Sequence, residues 1–177
     1  MRVRLDKVRD QPFRWDQTET VDPARLEHSD VLALSPVSWR GEIRFTDPGF
    51  LLTASYSYEQ TLPCQRCLEP LVEPVSGSFQ LLLLPAAEGA GGGERELKEE
   101  ELGVVPVHGE EVEVQPLLLE QLQLNVPMKP LCRIECRGLC PTCGADRNRG
   151  PCGCVERDVD PRWEALAALK RAPEEDH

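Results

Sequence analysis

The chain has 177 residues, of which 40% are hydrophobic. This length suits one domain with a small appended module, and the apolar content excludes a fully disordered chain. The 31 acidic residues outnumber the 20 basic ones and give a formal net charge of -11. Phosphate backbones repel so acidic a chain, which excludes a simple basic nucleic-acid coat protein.

Membrane and export signals are missing from the sequence. Apolar runs such as residues 81–84 are far shorter than the roughly 20 apolar residues that a membrane span needs. The basic first residues lead into no apolar stretch, so we expect no secretory signal. These observations predict a cytoplasmic protein with no membrane partner.

Alternating polar and apolar residues predict three extended segments. The first covers 37–46, with one apolar face formed by Val37, Trp39, Ile43 and Phe45. The turn residues Asp47-Pro48-Gly49 follow. The second segment then continues the alternation with Phe50, Leu52, Ala54, Tyr56, Tyr58 and Leu62. The third covers about 71–84, where Val75, Phe79, Leu81 and Leu83 share a face and Gly77 suits a bulge.

The remaining segments are shorter. A Gly-rich acidic stretch at about 86–101 is typical of a flexible loop. Residues 104–107 and 111–114 suit short strands, and a core-facing helix is predicted near Pro116 from Leu117, Leu118, Leu119, Leu122 and Leu124. Asp160-Pro161 can begin a closing helix with an apolar stripe formed by Trp163, Leu166 and Leu169.

These segments predict an α+β protein, with an antiparallel β-sheet, a few helices and a small cysteine-rich zinc-binding module. We expect a sheet body at 1–128, the zinc module at 129–155, and a closing helix with an acidic tail at 156–177. The module is too poor in large apolar side chains to fold by burial alone, so a cross-link is required.

Eight cysteines are the most informative feature of the sequence. In a reducing compartment, close cysteine pairs bind metal or do redox chemistry more often than they form disulfides. Cys140-Pro-Thr-Cys143-Gly has the form of a zinc knuckle, in which Gly144 takes a positive φ and closes the turn. A tetrahedral Zn²⁺ site needs a second pair, and either of two can supply it: Cys152 with Cys154, or Cys132 with Cys136.

The separate pair Cys64-Gln-Arg-Cys67 is less specific. It suits half of a metal site or a redox pair, and such a spacing also occurs by chance. A thioredoxin-type pair opens a helix after a parallel strand, whereas this pair joins two antiparallel strands and precedes Pro70. An alternative uses all eight thiols: Cys64 and Cys67 join Cys132 and Cys136 in a second site that ties the sheet to the module.

Charge is unevenly distributed along the chain. Residues 129–149 contain five basic and two acidic residues, a net charge of +3 within a chain of -11. One interpretation is local RNA binding through Arg133, Arg137, Arg147 and Arg149. The other is that these arginines offset the charge of the thiolates, since Zn²⁺ with four thiolates carries a net negative charge.

Catalytic patterns are absent from the sequence. His28, His108 and His177 are far apart and lack the neighbours of a triad or a metal hydrolase. No phosphate-binding loop is found, because Gly91-Gly92-Gly93 lacks the lysine and the flanking elements. We therefore predict no enzyme activity and no small-molecule substrate.

Several motifs together resemble the bacterial YceD family of large ribosomal RNA subunit accumulation proteins. They are Cys64-Gln-Arg-Cys67-Leu68, Pro127-Met-Lys-Pro-Leu-Cys132, Cys136-Arg-Gly-Leu-Cys140-Pro-Thr-Cys143-Gly144 and Asp160-Pro-Arg-Trp163. The resemblance implies a cytoplasmic ribosome-biogenesis factor that is needed for normal levels of large-subunit ribosomal RNA and has no assigned catalysis.

The partner implied by this resemblance is large-subunit ribosomal RNA, its precursor, or a basic ribosomal protein. The acidic body favours the ribosomal protein, because charge complementarity speeds association. The competing hypothesis is a thiol redox protein or sensor that uses Cys64 and Cys67.

Overall fold

The structure is a computed structural model, and it describes residues 1–27, 30–86 and 103–154. Most of the predicted acidic loop, together with the predicted closing helix and tail, lies outside these residues, as do His28 and His177. The chain divides into two compact units, Met1–Cys136 and Arg137–His177. The three-part division with boundaries at 128 and 155 stays a prediction.

The described residues form eight strands and two α-helices. They are β1 (Arg2–Arg4), α1 (Leu5–Val8), β2 (Phe13–Glu19), a 3-10 turn (Pro23–Arg25), β3 (Ala33–Leu34), β4 (Val37–Thr46), β5 (Gly49–Pro63), β6 (Pro70–Pro85), β7 (Val104–Val107), β8 (Glu111–Glu113) and α2 (Val114–Leu124). Within the described part of the chain, no helix is long and apolar enough to cross a membrane.

Six of these strands form one sheet in the order β2-β4-β5-β6-β7, with β3 also paired to β5. All pairs are antiparallel except β6–β7, which is parallel. The prediction of an α+β fold agrees with this structure, but the sheet is mixed rather than purely antiparallel. The connection between Pro85 and Val104 is longer than the dozen or so residues that a parallel crossover needs.

The β5–β6 hairpin is the longest element, and its register runs without interruption from Phe50↔Leu83 to Pro63↔Pro70. The predicted alternation on both strands is confirmed, since the inward side chains of β5 are buried and those of β6 are buried or half-buried. The bulge suggested at Gly77 was wrong. Gly77 lies opposite Tyr56 in the regular ladder, and the Tyr56 ring occupies the space where a Cβ would be.

The predicted inward face of β4 is confirmed for Val37, Trp39 and Ile43, which are buried. Phe45 is 45% exposed. It lies close to the turn, where its ring packs edge-on against Phe50 and under the Arg9 guanidinium. The strand therefore leaves the core before its last apolar residue.

Helix α2 and the chain's first residues complete the core. Leu117, Leu118 and Leu122 of α2 are buried as predicted, whereas Leu124 at the helix end is 77% exposed. The sequence interpretation missed the N-terminal contribution. Strand β1 pairs with β8, which buries Val3 against the core together with Leu5 and Val8.

We predict that Gly77→Ala destabilises the protein. A Cβ at residue 77 would lie 2.5 Å from the Tyr56 hydroxyl oxygen, and that hydroxyl is held by the Asn125 side-chain amide at 2.7 Å. The expected loss is about 1–3 kcal/mol, as for other overpacked core sites, and denaturant unfolding measures it.

Gly103→Ala is the matched control, because no atom lies within 4 Å of a Cβ at that position. We expect its unfolding free energy to change by less than about 0.5 kcal/mol. Equal effects of the two substitutions would contradict the close packing of Tyr56 on Gly77.

Candidate metal sites

The eight cysteine sulfurs form two groups of four. Cys64, Cys67, Cys132 and Cys136 make the first cluster, and Cys140, Cys143, Cys152 and Cys154 make the second. Within each cluster all sulfurs lie within 4.8 Å of one another, so each group can hold a metal ion. The sequence left open which cysteine pairs share a site. In the structure they are grouped as in the alternative that uses all eight thiols.

Sulfur spacing in the first cluster matches a tetrahedral metal site. The Cys64 and Cys136 sulfurs are 3.8 Å apart, and those of Cys67 and Cys132 are 3.7 Å apart. A tetrahedron with metal–sulfur bonds of about 2.3 Å has edges of about 3.8 Å. All four are free thiols rather than disulfides. The cluster therefore has the size of a four-thiolate site.

Two separate parts of the chain supply the first cluster. Cys64 and Cys67 lie in the turn between β5 and β6, while Cys132 and Cys136 follow α2. The Gln65 amide donates to the Pro130 carbonyl at 2.9 Å, which joins the turn to the later segment. The cluster thus links the tip of the long hairpin to the chain beyond the helix.

Arg66 is a positioning residue that sequence reasoning missed. Its Nη1 donates to the carbonyl oxygens of Cys136 at 2.8 Å and Ile134 at 3.1 Å. These bonds hold the loop that carries two of the four sulfurs. In the sequence, Arg66 is marked only by its place between the cysteines of a C-x-x-C pair. That position does not indicate which carbonyl groups its side chain contacts.

The turns that begin the two clusters share one hydrogen-bond pattern. The Leu68 amide donates to the Cys64 carbonyl and the Cys64 amide donates to the Glu69 carbonyl, both at 2.9 Å. In the second cluster, Gly144 and Ala145 occupy the same positions relative to Cys140. The predicted positive φ of Gly144 is confirmed at 74°. Leu68 has a φ of 63° at the equivalent position, which L-residues rarely adopt.

A small polar network supports the second cluster. Leu139 and Asp146 form an isolated antiparallel bridge on either side of the Cys140–Cys143 turn. The Asp146 carboxylate accepts from the Asn148 backbone amide at 2.9 Å and from the Arg149 side chain at 3.3 Å. Asn148 Oδ1 in turn accepts from the Arg137 amide at 2.9 Å. Local hydrogen bonds therefore order a segment that has little apolar material.

Electrostatics within each cluster differ from thiol to thiol. Burial raises the pKa of Cys64, but the amides of Cys132, Arg66 and Cys67 donate to its sulfur and lower the pKa to about 6. The Cys143 and Thr142 amides likewise lower the pKa of Cys140 to about 6. Each turn therefore stabilises one thiolate, which is the form that binds metal.

The other thiols are affected in the opposite direction. The Glu69 amide acts to lower the pKa of Cys67, but burial and the three neighbouring thiols raise it to about 12. The Cys143 thiol raises the pKa of Cys154 to about 12, and loss of surrounding water raises that of Cys132. Without a metal ion, four neighbouring sulfurs cannot all be ionised, because their negative charges repel one another. A bound divalent cation stabilises the thiolates, and their protons are then released to solvent.

The four predicted RNA-binding arginines fall in both units. Arg133 is an exposed residue of the first unit. Arg137 and Arg149 are exposed and Arg147 is half-buried in the second unit, where Arg149 forms the ion pair with Asp146. Their role in RNA binding stays a prediction.

The fold and the sites define an α+β protein with two four-cysteine clusters that can hold metal ions. The sequence model of the large ribosomal RNA subunit accumulation protein YceD family matches residues 52–170. That region includes all eight cysteines, and the chain belongs to the YceD family.

Curated relatives come from bacteria and plants. An uncharacterized protein of Mycobacterium tuberculosis is 31% identical over 72% of this chain and 58% of its own length. The uncharacterized protein YlbN of Bacillus subtilis is 24% identical over 97% of this chain and 96% of its own length. A maize chloroplast protein, large ribosomal RNA subunit accumulation protein YCED homolog 1, is 27% identical over 62% of this chain and 44% of its own length. No solved structure matches the chain.

We predict that metal binding to the first cluster releases protons. Near neutral pH, Cys64 is already mostly thiolate, whereas Cys67 and Cys132 still hold their protons. Binding of Zn²⁺ should release the protons of Cys67 and Cys132, and affinity should therefore fall as the pH falls.

The measurement is calorimetric titration of metal-free Cys143→Ser protein with Zn²⁺, in buffers that differ in ionisation enthalpy. The substitution leaves the first cluster intact. Zinc binding without proton release, or with the same affinity at about pH 6 and about pH 8, would contradict this assignment.

Proposed function

We propose that this protein is a non-enzymatic cytoplasmic factor for the accumulation of large-subunit ribosomal RNA, built around two structural zinc sites. The observation that supports the proposal most directly is the family match over a region that contains both cysteine clusters. The maize relative and an Arabidopsis relative are both named for large ribosomal RNA subunit accumulation.

Zinc is the metal that this ligand set favours. Thiolate sulfur is a soft ligand, and tetrahedral four-sulfur sites take zinc or iron–sulfur clusters. The spacing of 3.7 and 3.8 Å in the first cluster suits a single ion with four sulfur ligands. Catalytic zinc keeps an open position for water, whereas four thiolates fill a tetrahedral ion completely. These features support a structural role.

The zinc proposal predicts two ions per chain and a different effect for each cluster. Cys67→Ser should remove one zinc equivalent and destabilise the first unit, because Cys67 lies at the tip of the β5–β6 hairpin. Cys143→Ser should remove the other equivalent and leave the sheet cooperatively folded, because the sheet has its own apolar core.

Metal analysis of protein that has not been exposed to a chelator measures the number of zinc ions per chain. Circular dichroism follows the unfolding of the sheet. Less than about half an equivalent of zinc in the wild type, or an iron–sulfur absorption band, would contradict the zinc assignment. Loss of the whole fold in Cys143→Ser would contradict an independent second unit.

The partner of the factor is large-subunit ribosomal RNA, its precursor, or a basic ribosomal protein. The cationic side chains Arg133, Arg137, Arg147 and Arg149 support an RNA contact beside the cysteine clusters. The net charge of -11 supports a basic protein partner, which an acidic surface would attract.

A thiol redox function is the second candidate, because the lowered pKa of Cys64 suits a nucleophilic thiolate. Against it, the Cys64 side chain is fully buried and its sulfur faces that of Cys136. Alkylation with and without a chelator separates the two functions. Zinc-bound thiolates should react only after metal removal, whereas a redox pair reacts directly.

Depletion of the protein in its own cells tests the proposed function. We expect the large-subunit ribosomal RNA to fall relative to the small-subunit RNA, and to recover with the wild type but not with Cys67→Ser. Affinity purification of the wild type should recover large-subunit RNA or a large-subunit protein. An unchanged RNA ratio after depletion would overturn the proposal.

A further inference from the structure

Strand β6 has one edge that is free over most of its length. On one side β6 pairs with β5 along residues 70–83. On the other side, among the residues that the structure describes, it pairs only with β7, over residues 82–85. The backbone of residues 70–81 is therefore open to a further strand on that side.

The free edge of β6 is formed by its even-numbered residues. Hydrogen-bonding direction alternates along an antiparallel strand, and the Cys64 amide donates to the Glu69 carbonyl at 2.9 Å, which sets the odd-numbered residues against β5. The Leu82 amide donates the opposite way, to the Gly103 carbonyl at 2.8 Å. The even-numbered amides before Leu82 thus point away from β5.

Two features limit the part of this edge that can accept a strand. Pro74 has no amide hydrogen to donate, and β7 already lies along the edge from Leu82 onward. Between these limits lie residues 75–81. Their amides that point to the free edge belong to Ser76, Ser78 and Gln80.

Residues 75–81 lack the features that keep an edge strand from pairing. They include no charged residue and no proline. In contrast, β2 at the opposite end of the sheet carries Arg14, Asp16 and Glu19, and charged side chains on an edge oppose the addition of a strand. The composition therefore favours pairing at β6 rather than at β2.

The inner face of this stretch is also incompletely covered. Val75, Phe79 and Leu81 pack against the core but are only partly buried. Leu83, which has Val105 of β7 as its neighbour, is fully buried. A strand added along residues 75–81 would remove further apolar surface from water, which stabilises the pair.

The chain's own sequence before β7 is poorly suited to this edge. Seven of the eight residues at 94–101 are charged, and Glu and Lys are depleted in strands. An occupant with the composition of residues 75–81 themselves would bring no charge to the edge.

A second copy of the same stretch is complementary on the inner face. In an antiparallel pair centred on Ser78, Val75 lies opposite Leu81 of the second copy, so two apolar side chains meet. Phe79 lies opposite Gly77 of the second copy, which has no side chain of its own. There its ring meets the Tyr56 ring that covers that glycine.

The same register is complementary on the outer face and along the backbone. Ser76 lies opposite Gln80 of the second copy, and a hydroxyl can hydrogen-bond to a side-chain amide. Each even-numbered residue lies opposite another even-numbered residue, so the amides and carbonyls that are free in one copy face those that are free in the other.

We propose that residues 75–81 of β6 pair antiparallel with the same residues of a second copy of this chain. The two sheets then join into one across a two-fold axis at Ser78. A contact that uses the same patch on both copies is closed after two chains, so the product is a dimer rather than a filament. This inference goes beyond the proposed function and does not depend on it.

Sedimentation equilibrium of the full chain, with a reductant to prevent cross-links between cysteines, measures the dimer dissociation constant. Ser78→Pro removes the amide at the centre of the pair but no hydrogen bond to β5. The two hydrogen bonds that the Ser78 residues exchange are lost, and the dissociation constant should rise about 30-fold, at about fivefold for each bond.

Val72→Pro is the matched control. Val72 has the same parity and lies on the same free edge, but outside residues 75–81. Its dissociation constant should stay within about twofold of the wild type. Thermal unfolding shows whether both variants are folded.

Amide hydrogen exchange of the wild type gives a second readout that does not depend on how well the variants fold. Exchange at Ser76, Ser78 and Gln80 should slow as the protein concentration rises, whereas exchange at Val72 should not change. Slowing at these three amides together with a weaker dimer in Ser78→Pro supports the inference.

Three results would overturn it. One is a wild type that stays monomeric up to about 1 mM. Another is protection of Ser76, Ser78 and Gln80 that is the same at all concentrations, because a segment of the same chain would then cover the edge. The third is a folded Ser78→Pro variant that dimerises as tightly as Val72→Pro.

Discussion

Four sulfur atoms at the end of the β5–β6 hairpin join this hairpin to the segment that follows α2. Cys64 and Cys136 are 72 residues apart in sequence, yet their sulfurs are 3.8 Å apart. Closing so long a loop costs chain entropy, and the segment after α2 has few buried apolar side chains to offset it. A metal ion bound by all four sulfurs would supply that cross-link, aided by the hydrogen bonds of Gln65 and Arg66.

The second cluster begins with the same kind of turn, but in a segment with little apolar material. Its turn repeats the hydrogen bonds of the first turn, with Gly144 where the first has Leu68. In the first unit the turn extends a sheet that already has a core. In the second unit the described residues bury little beyond Cys140 and neighbouring backbone, so a bound metal ion and the Asp146 network would carry more of the order.

Much of this fold could be predicted from the sequence, because alternation and cysteine spacing are local signals. The faces of β4, β5 and β6 and the positive φ of Gly144 are such cases. The pairing of β1 with β8 and the parallel β7 could not be predicted, since they join distant segments. The carbonyls to which Arg66 donates belong to residues far along the chain, and local sequence patterns do not encode such a contact.

X-ray absorption at the zinc edge of the purified protein distinguishes four-cysteine sites from other ligand sets, because it reports the atoms bound to the metal. We expect four sulfur neighbours per zinc at about 2.3 Å, with none replaced by nitrogen or oxygen. A mixed shell with nitrogen or oxygen ligands would contradict two four-cysteine sites, as would the absence of zinc from the protein.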